Sequence, residues 1–110
     1  MGYRVTDEQV INSAAIVADE SSAALDISHQ LAWTAQIVWT STTAAGTIEI
    51  QESNDGSTWS TISAKTQAIS NNSGNVMLKG EWQASKYLRA NVDWTSGSIT
   101  TLTVHIIAKG

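Results

Sequence analysis

The strongest constraint on this chain lies between Leu31 and Ile62, LAWTAQIVWTSTTAAGTIEIQESNDGSTWSTI, where apolar residues recur at every second position. Trp33, Ala35, Ile37 and Trp39 alternate with Thr34, Gln36 and Thr40. A period of two puts successive side chains on opposite faces of an extended backbone, so this segment offers one apolar face to a core. Ile48 and Ile50 alternate with Thr47, Glu49 and Gln51 in the same way. Between that run and Trp59 lies Ser53-Asn54-Asp55-Gly56-Ser57, whose residue types suit a tight hairpin. Asn and Asp bond their own backbone and tolerate left-handed dihedrals, and Gly takes positive φ at no steric cost.

The flanking segments extend the pattern. Ala23, Leu25 and Ile27 alternate with Ala24, Asp26 and Ser28, a first short strand. Thr58 to Ser63 is another, and Lys65 to Asn75 holds a turn-rich run expected as an exposed loop. Val76, Leu78, Gly80 and Trp82 alternate with Met77, Lys79 and Glu81, and Gly80 inside the run suggests a bulge. In the next strand Leu88, Ala90, Val92 and Trp94 point one way while Tyr87, Arg89, Asn91 and Asp93 point the other. After the Thr95-Ser96-Gly97-Ser98 turn, Leu102, Val104, Ile106 and Ala108 point inward and Thr101, Thr103 and His105 outward. About seven or eight short strands with regular turns, and no strong helix, describe an antiparallel, two-sheet β-sandwich of the all-β class.

Residues 1–20 admit two readings. Thr6 and Gln9 have the spacing of a capping box before a helical face, whereas the β-branched Val5, Val10, Ile11, Ile16 and Val17 suit an extended arm leading into an edge strand. The extended reading is preferred, giving an N-terminal arm over 1–20 and a sandwich domain over 21–110. With 110 residues the chain has material for one core. It has no proline, so its edge strands need charge, bulges or a neighbouring subunit for protection.

Composition removes several function classes. A net charge of −4 argues against binding nucleic acid through its phosphates. No cysteine is present, so disulfides, thiolate chemistry and Cys-type zinc sites are excluded. No apolar run approaches the ~20 residues of a membrane helix, and MGYRVTDEQV lacks the apolar segment of a secretory signal. The expectation is a soluble chain with no membrane partner.

Candidate chemistry is sparse. The two histidines, His29 and His105, read as a turn residue and a solvated strand-face residue, and no G-x-S-x-G elbow occurs. The carboxylates Glu49, Glu52, Asp55, Glu81 and Asp93 are scattered over strand faces and turns, whereas a glycosidase needs two facing each other across a cleft. Glu52, Asn54 and Asp55 offer three oxygen ligands, but Ser53 and Gly56 fall at the wrong places for the D-x-[DN]-x-[DN]-G calcium loop. Trp33, Trp39, Trp82 and Trp94 share faces with core positions, while Trp59 directly follows the polar turn and is the least settled of the five. Asn71-Asn72-Ser73 matches the N-glycosylation acceptor, which carries no weight without a secretory signal. The expected protein is not an enzyme and has no catalytic, cofactor-binding or metal residues.

One resemblance adds to this reading. Val38-Trp39-Thr40, then Gly46-Thr47, then Ser53-Asn54-Asp55-Gly56 with Trp59, followed by Tyr87-Leu88-Arg89 and Thr95-Ser96-Gly97-Ser98, resemble a small β-sandwich family of tailed-bacteriophage virion proteins. The match spans roughly residues 25–110. The S-N-D-G-x-x-W and Y-L-R elements are also similar to those of discoidin-like galactose-binding modules, and both families imply a jelly-roll-like sandwich. The phage resemblance implies a structural protein of the virion (head decoration, fibre, tail or adaptor), made in the host cytoplasm. It would self-associate, with a trimer favoured, and dock on other virion proteins through an arm that orders against a neighbour. A host-surface glycan is a further candidate partner, and a carbohydrate-binding module is the alternative function.

Overall fold

The computed structural model describes residues 5–81 and 85–110. Nine strands follow in order: β1 (Val5–Ile16), β2 (Glu20–Ser21), β3 (Leu25–Asp26), β4 (Ala32–Ser41), β5 (Ala45–Ser53), β6 (Ser60–Ser70), β7 (Gly74–Glu81), β8 (Tyr87–Ser96) and β9 (Ile99–Lys109). They form two antiparallel sheets, ordered β1-β9-β4-β7 and β2-β8-β5-β6, with β3 also pairing with β8. The pairs β1–β9, β2/β3–β8, β4–β7 and β5–β6 nest inside one another, as though one long hairpin were folded across both layers. Among the described residues no helix is long and apolar enough to cross a membrane.

The alternation read from the sequence builds the core. Ala35 and Ile37 of β4, Ile48 and Ile50 of β5, Leu88, Ala90 and Val92 of β8, and Leu102, Val104, Ile106 and Ala108 of β9 are all buried between the sheets. Each branched side chain removed from water contributes about 1.5–3 kcal/mol, before the entropy of ordering the chain is subtracted. The polar residues of the same strands face outward and keep both outer surfaces wet.

Several expectations are corrected. Lys65 to Ser70 is not loop: it is the second half of β6, paired from Thr66↔Glu49 to Ser70↔Ala45, and only 71–73 turn. Its polar, serine-rich sequence conceals a strand because β6 lies at the sheet edge, where most positions stay exposed. Of the expected strand over residues 23–28 only Leu25–Asp26 pairs, as β3 along β8, and a second two-residue piece, β2, precedes it at Glu20–Ser21. Trp94 is half-buried at the end of the core, its indole N–H donating to the Gly97 carbonyl at 2.9 Å. Trp82 lies outside the described residues. Residues 5–16, much of the expected arm, are β1, paired along β9 with Ile11 and Ile16 buried. Its order therefore comes from within the chain rather than from a neighbour.

Gly80 marks no bulge either, since β4 and β7 pair without a shift from Ala32↔Glu81 to Trp39↔Gly74. That register sets Trp33 opposite Gly80 and Trp39 opposite Gly74, with both indoles buried. A Cβ on Gly80 would overlap the Trp33 ring around Nε1, and one on Gly74 would meet Trp39 Cζ2 at 3.1 Å. Each ring lies over the space a side chain would fill. Both indole N–H groups are buried without an acceptor among the described residues.

Space here is thus limiting, and overpacking a closed site costs typically 1–3 kcal/mol. Gly80→Ala should destabilise the protein by about 3 kcal/mol in urea unfolding. Gly74→Ala should cost less, because only tenths of an ångström must be found. Lys79→Ala, an exposed change on the same strand, should stay within ~0.5 kcal/mol.

Candidate functional site

The outer face of the second sheet carries the densest polar constellation. Arg89, Asn91 and Asp93 of β8 point away from the core that Leu88, Ala90 and Val92 enter, and Gln51 and Glu49 of β5 stand opposite Arg89 and Asn91. Thr61 of β6 completes the row opposite Gln51. A hydrogen-bonded chain runs across four strands. The Ser21 hydroxyl donates to Asn91 Oδ1 at 2.6 Å, and Asn91 Nδ2 donates to Glu49 Oε1 at 2.8 Å. Thr61 Oγ1 donates to Glu49 Oε2 at 3.2 Å and accepts from Gln51 Nε2 at 3.3 Å. Arg89 Nε donates to Gln51 Oε1 at 2.8 Å, and its guanidinium lies 4.4 Å from the Trp59 ring centre. Each member holds the next, so the face is set before any partner arrives.

The hairpin between β5 and β6 delivers Trp59 to this ladder. The Ser53 hydroxyl is buried, accepts from the N–H groups of Asp55 (3.2 Å) and Gly56 (2.9 Å), and donates to Asp55 Oδ1 at 3.0 Å. Asp55 Oδ1 also accepts from the N–H groups of Ser57 and Thr58, both at 2.8 Å. Gly56 takes φ of +76°, which glycine adopts freely, and the Tyr87 ring lies against it. Asn54 Oδ1 accepts from the N–H of Lys86 at 3.2 Å, and the Lys86 ammonium sits 5.3 Å from the Tyr87 ring centre. The two sequence elements S-N-D-G-x-x-W and Y-L-R therefore meet at one end of one sheet. Trp59 is neither core nor bare platform: it is half-buried, with Arg89 on its ring.

Other candidates fall elsewhere. The oxygens of Asn54 and Asp55 weighed for calcium are turned to protein donors, and no group of three or more metal-binding side chains comes together among the described residues. Glu49 and Asp93 project from the same open face rather than towards each other, and Glu81 belongs to the other sheet. His29 lies in the turn after β3. His105 does face a carboxylate, Asp7, across β1 and β9, a contact that spacing alone did not reveal. Side-chain exposures of 42% and 59% make the pair a solvated cross-strand contact on an open sheet face. The Ser21–Asn91–Glu49–Thr61–Gln51–Arg89 ladder was also hidden in the sequence. Its signal was the polar side of two alternating strands, but pairing β5 with β8 required the topology.

No family model matches this sequence, and no curated protein sequence matches it. Solved structures do share its fold. A prophage-derived protein, SPBc2 YomS, superposes with a TM-score of 0.69 at 11% identity, over 98% of this chain and 95% of that one. The PBSX exported protein XepA gives 0.66 at 14% identity over 94% of this chain, which corresponds to 36% of that protein. The C-terminal CBM6 of LamC, a laminarinase of Zobellia galactanivorans, gives 0.55 at 8% identity over 94% and 98% of the two chains. The sandwich is thus shared by a prophage-derived protein, an exported protein and a carbohydrate-binding module.

Hydrogen bonds to the charged form hold Asp55 well below the ordinary carboxylate value of 3.8, down to about 2, through the N–H of Thr58 first, then that of Ser57 and the Ser53 hydroxyl. Asp26 is lowered in the same direction, first by the Ser28 hydroxyl and then by its N–H. A depressed folded value adds stability above the unfolded value, and that stability is lost as pH falls through the folded one. Acid titration of stability should therefore show a decline between about pH 4 and about pH 2. Asp55→Asn should lower stability at neutral pH and flatten that decline.

Proposed function

We propose that this chain is a non-enzymatic structural protein of a bacteriophage virion that self-associates and docks on other virion proteins. The observation that carries the reading is the convergence of the residues behind the phage resemblance. Gly56 rests on Tyr87, Asn54 holds the Lys86 backbone, and Trp59 stacks with Arg89, so each motif residue serves to fix a surface rather than to react. The end-to-end correspondence with a prophage-derived fold supports the same reading. So does the nested strand pairing, which we read as a jelly roll. A polar face whose groups already bond one another is suited to a fixed docking geometry, because little side-chain entropy remains to be lost.

A second reading, glycan binding, is favoured by one feature of the same face. Planar polar groups of Arg89, Gln51, Asn91 and Glu49 stand beside an indole, the combination that meets the hydroxyls and apolar faces of a sugar. On a virion this surface would meet a host-surface glycan.

Mass spectrometry of purified particles from the genome encoding this chain should recover it in stoichiometric amount; its absence from particles would overturn the structural reading. Titration with simple neutral glycans should shift the tryptophan fluorescence of the native chain, but not of Trp59→Ala, if the second reading holds.

A further inference from the structure

Four strands bound the two sheets, and three of them are interrupted. Among the described residues, β1 has a register shift between Gln9 and Ile11 and a positive φ of 53° at Ala15. In β6 the pairing with β5 breaks between Thr61 and Thr66, where Ala64 has φ of 64°. The remaining edge consists of the two-residue β2 and β3. Bulges, kinks, short edge strands and charged side chains are the devices that keep sheet edges from pairing with other chains. By contrast β7 is neither bulged, kinked nor short, and carries only the exposed charges of Lys79 and Glu81 towards one end. Its eight residues pair with β4 without a shift, no residue in it has positive φ, and among the described residues its other side pairs with no strand.

The side chains of β7 are complementary to themselves. In an antiparallel pair with a second copy, residues directly opposite share a face. A two-fold axis at Met77 sets Met77 against Met77 on the outer face, Val76 against Leu78 on the core side, and Lys79 against Asn75. No like charges meet, although the chain as a whole carries −4. The apolar surface left open at this edge is the surface such a pair would cover. Met77 is 47% exposed, and Val76 and Leu78 are only partly buried against the core.

We infer that β7 is the self-association edge of this protein, pairing with β7 of a second copy about a two-fold axis to join two four-stranded sheets into one of eight. The occupant is a second copy because the strand matches itself in register, in apolar pattern and in charge. An isologous contact of this kind closes at two, in place of the trimer favoured from the sequence. The inference rests on the self-association part of the proposed function and specifies its surface.

Native mass by light scattering over a range of concentrations should approach twice the chain's 11.7 kDa. Met77→Lys, which sets two ammonium groups against each other at an exposed position, should return it to a monomer with unchanged β-sheet circular dichroism, while Met77→Leu should keep the dimer. The chain has no native cysteine, so Met77→Cys supplies a single thiol. Directly opposite residues lie within disulfide reach, and mild oxidation should cross-link that variant at least tenfold faster than Thr103→Cys on the same face. A monomer at all concentrations, a dimer indifferent to Met77→Lys, or equal cross-linking of the two thiols would overturn the inference. A closed trimer would also overturn it while leaving self-association intact, and recovery of the chain from particles bears only on the virion reading.

Discussion

The packing of Trp33 and Trp39 over Gly80 and Gly74 is the constraint from which much of the rest follows. An indole is the largest side chain available to a sandwich, and two of them on one strand leave no room for side chains opposite. Glycine six residues apart on β7 matches tryptophan six residues apart on β4, so a slip in register drives a ring into a Cβ. A one-residue slip would also move every apolar side chain to the wet face. Two independent penalties therefore specify the same alignment. Among the described residues the two indole N–H groups have no acceptor, and a buried donor without one is costly.

The same economy appears at the far sheet. Gly46 brings β5 against β8, where a Cβ would meet the Asp93 carbonyl at 2.7 Å. Close approach aligns Glu49 with Asn91 and Gln51 with Arg89, and from that alignment the outer polar ladder arises. The hairpin beyond it is held by a buried serine hydroxyl and one carboxylate, so Trp59 arrives beside Arg89 in a defined place. Inner packing and outer chemistry are thus two readings of one register. The regular pairing of β4 with β7 also leaves β7 straight, and a straight edge is the kind another chain can extend.

Much of this was legible in advance, and the failures have physical causes. Strands β4, β8 and β9 were readable because they lie within or deep in their sheets, where one face is fully buried and alternation is strict. The second half of β6 was not, because an edge strand keeps most of its positions exposed and Lys65 to Ser70 looks like a polar loop. Gly80 suggests a bulge in the sequence because a glycine in a strand has two explanations, special dihedrals or lack of space, and only the opposite residue decides between them. The contact of His105 with Asp7 joins residues nearly a whole chain apart, so spacing carried no sign of it.

What the amino-acid order determined by itself was local: the two-residue period, the turn chemistry of Ser53 to Ser57, the lack of thiols and the acidic balance. The period and the turn chemistry settle the all-β class and two alternating faces, because both depend on neighbours within a few bonds. Tertiary structure alone decided which strands lie side by side, and so which polar groups form the ladder, which glycines sit under rings and which edge is left straight. Those outcomes depend on distances between residues tens of positions apart, and such distances exist only once both sheets have closed over a common core.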